Sequence, residues 1–191
     1  HADLNEDYAA IPREMKAVAA KFGQNTLRGV TMNDFISRLA ELRGETGAVA
    51  VGDRALLRAL HFIAENERVS IQAKALRSGD MAAFLDGVDA SGRSSYEFLQ
   101  NVFAISAPRE QGLSLALALT GEYFAARGIK RGGGGYACRV HGGGFAGTIQ
   151  AFIPVDEIEG YSAFMDSVFG QGSCIPLRIR RDGAVFLDEV K

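Results

Sequence analysis

The sequence is short of cysteine. Two residues in 191, Cys138 and Cys174, are too few for a disulfide framework, and free thiols in a reducing cytoplasm are the expectation. With only three scattered histidines beside them, no zinc spacing arises and no metal site is expected. Charge of one sign is lacking too: 21 basic against 23 acidic residues, a net charge of -2, points to neither nucleic acid nor an acidic membrane surface as partner. Long hydrophobic runs are absent. The longest, Leu113 to Thr120, falls well below the roughly 20 residues that span a bilayer. The opening "HADLNEDYAA" is acidic and polar, unlike a secretory signal. It begins with His1 rather than Met, which suggests a processed or truncated polypeptide.

What is present is a hydrophobic share of 47%, enough for a real core. Tyr8, Ile11, Met15 and Val18 recur at helical steps within 3–22, and Gly23 is a natural stop. Phe35, Ile36 and Leu39 repeat the pattern. Residues 54–100 read as helices, with Leu56, Leu60, Ile63, Ile71 and Leu76 as apolar stripes. Gly79 ends one helix there and Asp80 caps the next. A helix over 108–127 would carry Pro108 in its first turn and Gly128 just past its end. After Gly128 the period changes to two. Strands are expected at about 136–142, 148–154, 174–180 and 184–188, with a helix over 156–169 capped by Asp156. The fold class is therefore α+β. An antiparallel sheet resembling a ferredoxin-like split βαβ carries the 108–127 and 156–169 helices on one face, and the other helices form an additional layer. Two regions are expected: 1–105, mostly helical, and 106–191, the ferredoxin-like core carrying a glycine-rich hairpin.

That hairpin is the most unusual stretch: "RGGGGYACRVHGGGFAGTIQAF", Arg131 to Phe152, holds eight of the 23 glycines. Gly142, Gly144 and Gly147 match G-x-G-x-x-G. A dinucleotide loop, however, needs a helix after its glycines, and "TIQAFIP" reads as a strand. Asp166 lies at a suitable distance for a ribose contact, but mid-helix. A Walker loop needs Lys-Ser/Thr after the last glycine, where this sequence has Thr148-Ile149. A wide turn accounts for Gly132 to Gly135. The glycines of "HGGGFAG" around Phe145 also leave room for close approach of a backbone or a phosphate.

"CRVHGGGFAGTIQAF" resembles the third motif of the GHMP kinases in its galactokinase version, R-M-T-G-A-G-F-G-G-C. Arg139, Gly142, Gly144, Phe145 and Gly147 match; His141 stands for Thr, Gly143 for Ala, Ala146 for Gly and Thr148 for Cys. Upstream, "RALHFIAENERV" is similar to R-x-x-H…E-x-x-R-V, "ALRSGDMAAF" and "FAISAP" fall at family segments, and "EDYAAIPREMK" resembles S-E-Y…R-R with only Arg13 for the arginine pair. The resemblance covers nearly the whole chain in order. It implies the C-terminal portion of a galactokinase, in which galactose and ATP are engaged largely through an N-terminal domain. ATP and Mg²⁺ would serve the intact protein, with none held tightly by this chain. The family's phosphate loop and catalytic aspartate find no counterpart in the sequence, so no catalytic residue is assigned and the chain alone is expected to be inactive.

The resemblance places His141, Gly142, Gly143, Gly144, Phe145 and Gly147 beside substrate and phosphate. It makes Tyr8 a candidate sugar contact. Arg139 either faces phosphate or pairs with a carboxylate, and His61, Glu65 and Arg68 read as a polar cluster within one helix. An exposed domain interface would favour self-association. A non-catalytic galactose and ATP sensor of the same family, another GHMP small-molecule kinase, and a free-standing α+β interaction domain stay open at this point.

Overall fold

The computed structural model describes residues 4–44 and 51–179. The chain divides into two compact units, His1–Ile153 and Pro154–Lys191. The helical region and the glycine hairpin thus share one unit, and the boundary falls at Ile153/Pro154.

Five helices build most of the first unit: α1 (Asn5–Lys21), α2 (Met32–Gly44), α3 (Asp53–Ser78), α4 (Met81–Ser94) and α5 (Gly112–Ala125). Val18 and Ala19 of α1, Phe35 and Leu42 of α2, and Leu56, Ala59 and Ile63 of α3 form one buried cluster, which is the helical layer. Past Ile63 the buried face of α3 continues at Ala75, with Gln72 against Gly87 of α4, and not along the expected stripe. Ile71 and Leu76, read as core positions from their spacing, are 57% and 52% exposed. A helix of 26 residues is about 39 Å long, so its far end passes beyond the layer that covers its start. Gly79 closes α3 in the left-handed conformation, and Asp80 accepts the Ala83 N–H at 3.0 Å to start α4, as the sequence predicts.

The sheet consists of β1 (Ala137–His141) and β2 (Thr148–Phe152), antiparallel, in register from Ala137 opposite Phe152 to His141 opposite Thr148. Alternation puts Ala137 and Phe152 on the α4 side, with Leu85 and Val88, and Val140 and Ile149 on the α5 side, with Leu113 and Val102. β1 is thus covered on both faces. On the α4 side the approach is backbone to backbone: a Cβ on Gly92 would stand 2.7 Å from the Cys138 carbonyl oxygen and 3.0 Å from Arg139 Cβ. Any larger residue at 92 would push the helix off the strand.

Several expectations need correcting. α5 begins at Gly112, not at Pro108, because residues 107–111 are taken up by turns in which the Glu110 N–H bonds the Ala107 carbonyl and the Gln111 amide bonds the Pro108 carbonyl. In the second unit, Asp156 does not cap the helix. Pro154 opens a 3₁₀ turn over Val155–Glu157 that absorbs Asp156, and α6 (Ile158–Phe169) starts after it with no side-chain cap. Cys174 to Ile179 keep the alternation of a third strand but are not in a strand among the described residues. Alternation sets which face a residue would take, while a strand exists only through pairing. The fourth strand, expected at 184–188, lies outside the described residues. Asp166, at ribose-contact spacing in the sequence, turns instead to its own chain. It accepts the N–H groups of Gly172 at 3.0 Å and Cys174 at 2.9 Å, and those backbone bonds hold its carboxyl below the usual range.

Candidate functional site

The connection from β1 to β2 is the stretch Gly142–Gly147, with His141 as the last residue of β1. Because β2 follows it, this is a hairpin and not the mouth of a nucleotide-binding helix, as the strand reading of "TIQAFIP" requires. The other glycine run, Gly132 to Gly134, makes a separate turn with positive φ at each residue, pinned where the Gly133 N–H meets an Asp86 carboxylate oxygen at 2.7 Å.

The hairpin tip is held from two sides. From α1, the Tyr8 hydroxyl donates to the Gly144 carbonyl at 2.7 Å, and the Tyr8 ring meets Phe145 edge-on with centroids 5.1 Å apart. The ring also lies so near Gly143 that a Cβ there would come within 2.8 Å of it. Pro12, one turn further on, has no N–H to give the Tyr8 carbonyl. From the other side, the Asn101 carbonyl accepts the Phe145 N–H at 2.6 Å and the Asn101 side-chain amide donates to the Gly143 carbonyl at 3.2 Å. Gly144 has φ +83 and Phe145 has φ +56; the latter is unusual for a bulky side chain and is held by the burial of its ring. The structure therefore brings Tyr8 to Gly143, Gly144 and Phe145, from which it is far removed in the sequence. His141 stays exposed at the hairpin's base, its Nδ1 3.3 Å from the Thr148 hydroxyl across the ladder. Gly142 has φ +70 and open space where a Cβ would be, and Gly147 leads into β2.

Arg139 projects from β1 toward α3 and α4. It donates to Ser91 Oγ at 2.6 Å and to Glu65 at 3.4 Å. The carboxylate pairing is thus the geometry found. Glu65 also takes Arg68 at 2.7 Å and the Ser91 hydroxyl. Burial would raise its carboxyl, and the bonds from Ser91 and Arg68 more than reverse that, so it sits below the usual range. His61 does not bond Glu65, although the spacing allows it; its Nδ1 lies 2.9 Å from Ser94 Oγ, which also accepts from Arg68 at 2.8 Å. The cluster read as intrahelical therefore joins α3, α4 and β1. Ser91 and Ser94, spaced to share one face of α4, were the available sign of it. Among the described residues no group of three His, Cys, Asp or Glu side chains could hold a metal ion.

One consequence is pH-dependent. Burial is the main cause that lowers His61 to about 4; Arg68 and Arg139 push the same way, Glu65 opposes, and Ser94 bonds the ring. The neutral ring is thus favoured in the fold. Below the ordinary value of about 6.5, the unfolded chain takes up a proton that the folded chain refuses. Stability should be fully present above pH 6.5 and fall by roughly 3 kcal/mol as the pH drops to about 4, at about 1.4 kcal/mol per unit. Urea unfolding of the wild type and His61→Asn at pH 7, 6 and 5 checks this. The variant should show a flatter slope over that window, and equal slopes would refute the assignment.

No protein-family model matches the chain. Over 160 residues, 83% of the chain, it is 32% identical to the galactokinase of Actinobacillus pleuropneumoniae serotype 5b (strain L20), of which this stretch makes up 36%. It is 35% identical over 149 residues to the galactokinase of Pasteurella multocida (strain Pm70), covering 77% of the chain and 33% of that protein. The chain belongs to the galactokinase family. It spans about a third of the length of these curated relatives. The fold agrees: the galactokinase of Lactococcus lactis, solved in complex with galactose, superposes with a TM-score of 0.57 at 20% identity, covering 85% of the chain and 36% of that structure. In this galactokinase homologue the hairpin tip is clamped between Tyr8 of α1 and Asn101. Asn101, which no motif singles out, makes as many of the tip's contacts as Tyr8 does.

Proposed function

We propose that the chain is the C-terminal part of a galactokinase, and that the intact polypeptide transfers the terminal phosphoryl group of ATP to the anomeric hydroxyl of galactose. The observation that carries this reading is the hairpin tip clamped against Tyr8, in a chain homologous to galactokinases. In this reading 106–191 is a ferredoxin-like α+β core, and 1–105 is the helical region that leads into it. His141 to Gly147 form one wall of the active site. Tyr8, already donating its proton to Gly144, keeps a lone pair that can accept a sugar hydroxyl. Arg139, occupied by Glu65 and Ser91, supports β1 rather than phosphate.

ATP and Mg²⁺ belong to the intact enzyme in this reading. Among this chain's described residues no group of three His, Cys, Asp or Glu side chains is placed to hold the metal. Phosphoryl transfer rests on positioning and on charge neutralisation, which one hairpin wall cannot supply. The isolated chain should therefore be inactive. A coupled assay with galactose, ATP and Mg²⁺ tests both halves of the proposal. Turnover is expected from the full-length polypeptide and none from the 191-residue chain. Robust turnover by the chain alone would overturn the division of labour, and a full-length protein that binds both ligands without turnover would be a sensor instead.

A further inference from the structure

The buried side of the hairpin tip rests on a residue with an unusual balance of contacts. Asn101 is 2% exposed. Its amide nitrogen serves Gly143, but its side-chain oxygen is buried with no hydrogen-bond partner. The Gly143 carbonyl fixes this orientation, since only the NH₂ end can donate to it. A hydrogen bond made at one end and a bare buried acceptor at the other roughly cancel. As a stabilising residue, Asn101 is therefore a poor choice.

Its placement is elaborate all the same. After α4 the chain makes a π turn over Ser95–Leu99, and Gln100 then takes the left-handed conformation at φ 57. Together these aim both the carbonyl and the side chain of Asn101 at the hairpin. The π turn is itself anchored: Arg58 Nε donates to the Leu99 carbonyl at 3.2 Å, while Arg58 Nη1 meets Glu14 of α1 at 2.8 Å. Since α1 also carries Tyr8, a closed circuit runs α1, α3, π turn, hairpin tip and back to α1. π turns of this kind recur at functional sites.

We propose that Asn101 is a positioning residue: through its side-chain amide it sets where Gly143–Phe145 stand relative to Tyr8, without adding to the stability of the fold. This rests on the galactokinase reading only for the consequence in turnover. The test uses Asn101→Ala and Asn101→Asp. In the 191-residue chain, Asn101→Ala should leave the thermal midpoint within about 3 °C of wild type while amide exchange at Phe145 quickens about tenfold. Asn101→Asp, which turns an acceptor toward the Gly143 carbonyl, should loosen the tip further. In the full-length polypeptide, kcat for galactose phosphorylation should fall about tenfold or more with KM changed less than about threefold. A midpoint lowered by about 10 °C or more would mark Asn101 as structural and overturn the proposal. Unchanged exchange at Phe145 with unchanged kcat would overturn it equally. Should the full-length protein lack galactokinase activity, the functional reading fails, and the exchange measurement still decides the role of Asn101.

Discussion

Gly144→Val should unfold the hairpin tip and cost the chain roughly 3–5 kcal/mol of stability, which combines left-handed strain with overpacking. Gly144 stands at φ +83, where a side chain is strained whatever the space around it. There is also no space: a Cβ would lie 2.0 Å from the Asn101 carbonyl oxygen and 2.7 Å from its side-chain nitrogen. The carbonyl cannot retreat, because it accepts the Phe145 N–H from the same tip. Gly144→Ala should therefore carry most of the penalty, since the first carbon already collides. Gly142 supplies the control. Its φ of +70 is similar, but nothing lies near its added Cβ, so Gly142→Ala should cost only about 1 kcal/mol. Urea unfolding of the three variants separates strain from collision. If Gly142→Ala and Gly144→Ala lose the same amount, the close approach of Asn101 contributes nothing and this account of the tip is wrong.

The contrast between Gly142 and Gly144 also marks how far the sequence could be read. The pattern of "HGGGFAG" indicates that some glycine there permits a close approach, but not which one, nor what approaches. The partner is a carbonyl, and carbonyls leave no trace in side-chain identity. Asn101 was missed for the same reason: two of its contacts run through backbone atoms of the hairpin, and an Asn after "EFLQ" reads as ordinary loop chemistry. Local rules fared better. Gly79 and Asp80 act within one turn of chain, so their roles as stop and cap follow from type and position. The first two strands were legible because alternation and the intervening glycines agree. The third failed because pairing is not local. The polar cluster lies between these cases: Glu65–Arg68 follows from spacing, while the turn of His61 to Ser94 depends on where α4 crosses α3.

The second large effect is expected at Arg58, which opens the R-x-x-H stretch of the sequence but is given no role there. It is 2% exposed, and its guanidinium reaches both Glu14 and the Leu99 carbonyl. Burial lowers its pKa and Glu14 opposes that, and an arginine stays charged throughout the working range. Arg58→Met keeps most of the volume and removes the charge. It leaves the Leu99 carbonyl bare and Glu14, 17% exposed, with Arg54 as its remaining partner. Breaking one side of a buried pair costs about 3–5 kcal/mol, and because Arg54 stays, the lower end is expected here. Adding Glu14→Leu to Arg58→Met should recover about 1–2 kcal/mol, since the stranded carboxylate is then gone; the double-mutant cycle measures that coupling directly. The Leu99 carbonyl remains bare in both, so full recovery is not expected. Because Leu99 leads through Gln100 to Asn101, the single variant should also quicken amide exchange at Phe145, a site it does not touch. A cost below about 1 kcal/mol would mean that Arg58 is solvated in place of being buried, and the circuit from α1 through α3 to the hairpin would lose its central link.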